Sequence, residues 1–189
     1  MNTEIHRLAE EGKPLPENVT MTLEEFFEND IEGYEYVEGK LVPMPGTSRE
    51  HGEISVNVIL SLGSHVRENQ LGRVYPADTT FQVGERVVKP DVAFVFTERL
   101  TGEKKKGLPI PPDLAVEVIS PSDVLSRIVE KAFNYLAAGT RLVWVIEPTA
   151  KTVTVYRSET DIAFLQRDDT LTGEDVVEGF SCPVAQLFE

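Results

Sequence analysis

Two carboxylates fall inside segments that should be dry. Pro90-Asp91-Val92-Ala93-Phe94-Val95-Phe96 is an apolar run headed by an aspartate, and Asp113-Leu114-Ala115-Val116-Glu117-Val118-Ile119-Ser120 carries a glutamate in its interior. Short runs rich in β-branched residues read as buried strands. An ionised carboxylate there is costly unless a cation or hydrogen-bond donors compensate it. If the two strands pair, Asp91 and Glu117 converge. Two hard oxygen donors suit Mg²⁺ or Mn²⁺, held by carboxylates together with waters and a substrate phosphate. Lys131 adds a base at the edge of an apolar helix face. An ammonium beside the two acids could orient an attacking water or stabilise a pentavalent phosphate. The three residues together predict metal-dependent hydrolysis. Singly, each has a plainer reading: a turn residue after proline for Asp91, a buried ion pair for Glu117, a lysine snorkelling from the core for Lys131.

The elements that must position these groups follow from periodicity. Alternation along residues 113–119 puts Ala115, Glu117 and Ile119 on one face of a strand and Leu114, Val116 and Val118 on the other. Both faces are apolar, so Glu117 should be buried. Ser120-Pro121-Ser122 turns the chain into a helix over about 123–138, stopped by Gly139. At about 100° per residue, Val124, Leu125, Ile128, Ala132, Tyr135 and Leu136 share its apolar face. Lys131 borders that face, within reach of Glu117, while Glu130 points away. A longer helix is predicted over 48–68, broken by Gly72, with Ile54, Val58 and Leu62 in one stripe. His51 lies on that stripe in the first turn and is a possible accessory to the site. His65 reads as an ordinary helix histidine. Glu38, beside Gly39 in a hairpin over 34–42, is a second possible accessory, with a plain turn role as its equal alternative.

The remaining elements are a short helix from Thr22, where Thr22 and Glu25 have capping-box spacing, strands near 73–75, 79–83, 91–96, 141–146, 151–156 and 162–165, and an apolar tail over 176–188. Residues 1–19 read as a loose leader and 98–112 as an exposed loop. The order of elements predicts one mixed α/β domain over residues 20–189, a central mixed β-sheet flanked by helices.

Composition narrows the function. The chain has 189 residues, 41% hydrophobic and 26% charged, with a net charge of −14. That balance argues against a broadly basic nucleic-acid surface. Lys104-Lys105-Lys106 is the one basic run and reads first as a solvated loop. No apolar stretch approaches the roughly 20 residues of a membrane span, and residues 1–16 lack an apolar signal core. The lone Cys182 has no disulfide partner and reads as inert packing. A cytoplasmic location is the expectation.

Several motifs in combination resemble a known family. They are Pro90-Asp91-Val92-Ala93, Leu114 to Ser122, Lys131 with Tyr135 and Gly139, and Val143-Trp144-Val145-Ile146 with Pro148. With Glu38-Gly39, His51 and the ending Gly179-Phe180 to Leu187-Phe188, they resemble the Uma-two family of restriction endonuclease domains, in the PD-(D/E)XK nuclease superfamily. The resemblance covers roughly residues 20–189. It implies a restriction-endonuclease-like fold, Mg²⁺ or Mn²⁺ as cofactor, metal binding by Asp91 and Glu117, and a lysine that assists the attack on a phosphodiester in DNA. The position two after Glu117 is Ile119 rather than lysine, so the resemblance assigns that role to Lys131 on the following helix. A homodimer is expected, since a duplex has two strands. The alternative, of another class, is a non-catalytic binding or assembly module that keeps the fold.

Overall fold

The computed structural model describes residues 7, 21–29, 31–44, 46–102, 107–121 and 123–189. Apart from Arg7, the leader over residues 1–19 and the Lys104-Lys105-Lys106 run lie outside the described residues.

A sheet of six strands forms the centre. In chain order these are β3 (Gly72–Pro76), β6 (Val92–Phe96), β7 (Leu114–Val118), β8 (Leu142–Glu147), β9 (Thr152–Tyr156) and β10 (Ile162–Leu165). Their spatial order is β10-β9-β8-β7-β6-β3. Among the described residues of this sheet, only β7 and β8 pair parallel. A parallel pair needs a crossover, and α3 (Leu125–Ala137) supplies it. A second sheet, in the order β2-β1-β5-β4, is built from β1 (Tyr34–Val37), β2 (Lys40–Pro43), β4 (Phe81–Val83) and β5 (Arg86–Val88). No helix among the described residues is long and apolar enough to cross a membrane.

Strand alternation divides the core in two. Leu114, Val116 and Val118 face α2 (Arg49–Glu68), whose Ile54, Val58, Leu62 and Val66 are buried against them. The tail closes the same side with β11 (Thr170–Thr172), β12 (Ser181–Pro183) and a final 3₁₀ turn, and Phe180 stacks on Trp144 with ring centroids 5.6 Å apart. Ala115, Val143 and Val145 face Ile128, Ala132 and Tyr135 of α3, together with Phe81, Val83 and Val88 of the second sheet. A third, small cluster joins Phe26 of α1 (Leu23–Asn29) to Ile31, Tyr36 and Val87.

Local chemistry explains the boundaries. Thr22 and Glu25 form the reciprocal capping box at the start of α1, with bonds of 2.9 and 3.1 Å. The β1–β2 hairpin turns on Glu38 and Gly39, both at positive φ (51° and 83°), the conformation of a two-residue primed turn. Ser48 caps α2 by accepting from the His51 N–H at 3.1 Å.

Three expectations are corrected. Gly72 does not break α2, which has already ended at Glu68. It opens β3, where a Cβ would collide with the Val95 carbonyl and the Phe94 ring. The crossover helix begins at Leu125, not Asp123, so Val124 is its cap and lies outside the helix. Val124 and Leu125 are 53% and 67% exposed and do not join the apolar face. The span 98–112 is only partly an exposed loop. Thr97–Arg99 form a 3₁₀ turn, Leu108 bridges to Phe81, and Arg99 reaches back to the buried Asp113 at 2.6 Å.

Candidate active site

The carboxylates converge because β6 and β7 pair antiparallel, Val92 opposite Val116. Asp91 lies just before β6, and its Oδ2 accepts from the Val118 N–H at 2.7 Å. The strand that carries Glu117 therefore also holds Asp91. His51, buried in the first turn of α2, places Nε2 at 3.1 Å from the same Oδ2. That hydrogen bond raises the His51 pKa against the opposing effect of burial.

Glu117 is 6% exposed on the face of β7 that α3 covers. Tyr135 OH donates to its Oε1 at 2.7 Å, and Lys131 Nζ donates to its Oε2 at 3.0 Å. The four-residue spacing of Lys131 and Tyr135 puts both on one side of α3. Lys131 Nζ also donates to Glu35 Oε1 at 3.1 Å, and the same oxygen accepts from the Lys89 N–H at 2.9 Å. Glu35 comes from β1 in the second sheet, so the site is assembled from both sheets and two helices.

One ammonium thus serves a group of acids. Burial pushes the Glu117 carboxyl up to about 7; Lys131 opposes this, while Asp91 and Glu35 add to it. Burial alone would lower the Lys131 pKa, but the charges of Glu117 and Glu35 outweigh it and hold the ammonium above its ordinary value. Lys131 is therefore a permanent cation at neutral pH and cannot serve as a base. Tyr135 stays neutral, its pKa raised by burial and by the adjacent Glu117. An ammonium has three N–H donors. Two are used by Glu35 and Glu117, which leaves one for a substrate oxygen.

The cluster opens into a cleft of about 490 Å³. His51, Asp91, Glu117 and Lys131 line its polar wall; Val42, Pro43, Met44 and Val124 form an apolar rim. Lys89 and Arg127 bring further cations and Asp123 a further acid, its Oδ2 fixed by the Ser120 N–H at 2.7 Å.

Of the residues singled out from the sequence, Asp91, Glu117, Lys131 and His51 come together. Glu38 does not. Its side chain is 67% exposed and pairs with Arg86 at 2.7 Å, on a separate cleft of about 280 Å³. Arg86 also meets Glu130, which points away from the site as expected. Glu35 is the participant that sequence reasoning missed. The one available signal was its place three residues before Glu38, on the opposite face of the same hairpin strand from Tyr34 and Tyr36.

A divalent ion can be tested against this donor set. The oxygen donors of Asp91 and Glu117 are hard; each Glu117 oxygen keeps a lone pair beyond its one hydrogen bond, whereas Asp91 Oδ2 already accepts from the Val118 N–H and His51, so Asp91 would offer Oδ1. The chemistry fits Mg²⁺ or Mn²⁺ completed by water. No group of three or more His, Cys, Asp or Glu that could hold a metal ion is gathered among the described residues. The pair would therefore hold an ion only with water or substrate oxygens filling the other positions.

Comparison with known proteins agrees with this architecture. A family described as "Putative restriction endonuclease", Uma2, matches residues 18–185. Among solved structures, the chain is similar to one described as a putative nuclease belonging to DUF820 from Anabaena variabilis. The TM-score is 0.79 at 23% identity, covering 89% of this chain and 97% of that one. No curated protein matches. At that identity the structural likeness speaks for the fold.

Proposed function

Because this chain belongs to the Uma2 family, described as "Putative restriction endonuclease", we propose that it is a metal-dependent endonuclease that hydrolyses phosphodiester bonds in DNA. The observation that carries this reading is the convergence of Asp91, Glu117 and Lys131 at the wall of one cleft, with Lys131 within 3.0 Å of Glu117. Hydrolysis adds water across a P–O ester bond. Water oxygen bonds to phosphorus, the ester oxygen leaves, and that oxygen takes up a proton.

Mg²⁺ or Mn²⁺, when bound, would supply Lewis-acid polarisation of the phosphate and lower the pKa of a bound water. Asp91 and Glu117 would hold it. The rest falls to the chain's own groups. Lys131 directs its remaining N–H to a non-bridging phosphate oxygen, where negative charge grows in the transition state. Glu35 and Glu117 fix that ammonium from two sides. His51 and the Val118 N–H fix Asp91 Oδ2. Arg127, on the cleft wall, would meet a flanking phosphate. Two copies would present one site to each strand of a duplex.

A second reading, a nuclease-fold binding module without turnover, is favoured by one observation. Both carboxylates already have protein partners, so neither requires an ion to be satisfied. Calorimetric titration of Mn²⁺ tests the metal directly. The nuclease reading expects one site in the wild type that Asp91→Ala loses; equal binding by both proteins would overturn it.

A further inference from the structure

We propose that the cleft takes an unpaired nucleotide at the scissile bond, in a single strand or in a duplex opened at that point, rather than a continuous duplex. The inference rests on the nuclease reading for the place of the phosphate at Lys131. What carries it is an exposed apolar rim set directly beside that ammonium.

Two elements build the rim. Val42 and Pro43 end β2 and are exposed, Val42 to 38%. Val42 stands opposite Glu35 in the hairpin register, and side chains directly opposite share a face with Cβ atoms about 5 Å apart. Glu35 in turn accepts from Lys131 Nζ at 3.1 Å. The apolar surface therefore begins one side chain away from the ammonium. On the second element, Ile128 and Val124 line the cleft from Lys131 back to the start of α3, a length of about 10 Å at 1.5 Å per residue. Val42, Pro43, Val124 and Leu125 join none of the three apolar cores.

Charge and shape both favour an open strand here. Arg127 lies one turn before Lys131, about 6 Å along the helix axis, while Asp91 and Asp123 share the wall with them. Lys89 lines the same cleft but is buried. A duplex carries one charge per about 1.7 Å of its axis, twice that of one of its strands. On a chain of net charge −14, the second strand adds repulsion without adding a contact. A continuous duplex also keeps its bases turned inward and presents phosphates outward. The rim would then strip water from charged oxygens and return no hydrogen bond. An unpaired nucleotide leaves its phosphate at Lys131 and is free to lay its base on Val42, Pro43 and Met44. Every base has an apolar face whose burial is favourable. A cleft of about 490 Å³ is of a size that encloses one small ligand, here one nucleotide. Negatively supercoiled DNA, which opens more readily, offers the same feature.

The test uses the full chain and one labelled oligonucleotide in three forms: single strand, blunt duplex, and duplex with an internal unpaired loop. Affinity is read by fluorescence anisotropy in Ca²⁺, a hard ion for oxygen ligands, and cleavage of the same three forms is followed in Mn²⁺. The wild type should bind the single strand and the looped duplex at least about tenfold more tightly than the blunt duplex, a ratio equal to about 1.4 kcal/mol. Val42→Ser combined with Val124→Ser should bring that ratio close to one. Both positions are exposed and serine is favoured at a helix cap, so the thermal transition should stay in place; should the pair fail to fold, Val124→Ser alone is read in the same way. Leu60→Ser, exposed on α2 and outside the cleft, should keep the wild-type ratio. Equal affinity of the wild type for single strand and blunt duplex would overturn the inference, as would a ratio that the rim variants do not move. Self-association of the wild type that the rim variants abolish would put a second copy on the rim and overturn it too. Preferential single-strand binding with no cleavage in Mn²⁺ would support the rim's role and count against the nuclease reading. Metal-dependent cleavage of all three forms at equal rates would do the reverse. A folded wild type that binds none of the three would overturn both.

Discussion

Replacing Glu117 by glutamine isolates the electrostatics of the site, because it removes one charge and keeps the shape. Burial raises the Glu117 carboxyl from 4.5 to about 7. At 1.36 kcal/mol per tenfold change, that difference corresponds to about 3 kcal/mol of folding stability. The folded pKa lies above the unfolded one, so this stability is complete below pH 4.5 and is lost as pH rises through about 7. About 2 kcal/mol of it disappears between pH 5.5 and pH 8. Glutamine does not titrate, so Glu117→Gln should lack that slope. Its amide oxygen still accepts from Tyr135 or Lys131, but its NH₂ meets the other donor, at a cost of about 1 kcal/mol. The variant should therefore be more stable than wild type by about 1–2 kcal/mol at pH 8 and no more stable at pH 5.5. Urea denaturation of both proteins at the two pH values, with chelator present, measures the difference. Ionisable groups remote from the site titrate alike in the two proteins and cancel. Parallel pH dependence in wild type and variant would refute the assignment of a raised pKa to Glu117.

Two further outcomes are expected. Gly72→Ala should destabilise the fold by about 3 kcal/mol in thermal or urea unfolding, since a Cβ there strikes the Val95 backbone of the paired strand, which cannot move aside. Binding of a short duplex at fixed Mg²⁺ should weaken with salt at a log–log slope of about −2, the value for two phosphate contacts, as Lys131 and Arg127 would supply on a chain of net charge −14; a flat dependence would exclude ionic contact as the main attraction.

Much of the site was legible because it breaks local rules. Glu117 interrupts a strand that is apolar on both faces, and Asp91 heads another. Helical phase put Lys131 at the border of the apolar face, from which it could reach toward Glu117, and the two side chains lie 3.0 Å apart. His51 was visible as a polar residue on a buried stripe. Glu35 was hidden for the opposite reason. Within Tyr34-Glu35-Tyr36 it obeys hairpin alternation and reads as solvent-facing; only the packing of the second sheet over α3 turns it into the cluster. β5 escaped notice because three residues, Arg86–Val88, are too few to show a period, and β11 for the same reason. Val124 and Leu125 satisfied the helical phase but precede or open the helix, where phase does not determine burial. Asp113, buried at the head of β7, bonds Arg99 and the Phe96 N–H and so clasps two segments together, a role its place in the sequence does not show.

The central claim is that Asp91, Glu117 and Lys131 form a hydrolytic site, and nicking of supercoiled DNA tests it most directly. Purified wild type, Asp91→Ala and Lys131→Met are compared in Mn²⁺ or Mg²⁺, each beside a chelator control. Lys131→Met retains much of the stem's packing and removes the charge. The account predicts metal-dependent nicking by the wild type, none above background by Asp91→Ala, and a loss of at least about 100-fold in Lys131→Met, the scale of one electrostatic catalytic group. Cleavage equal in all three proteins, or absent from a folded wild type that binds Mn²⁺, would contradict it.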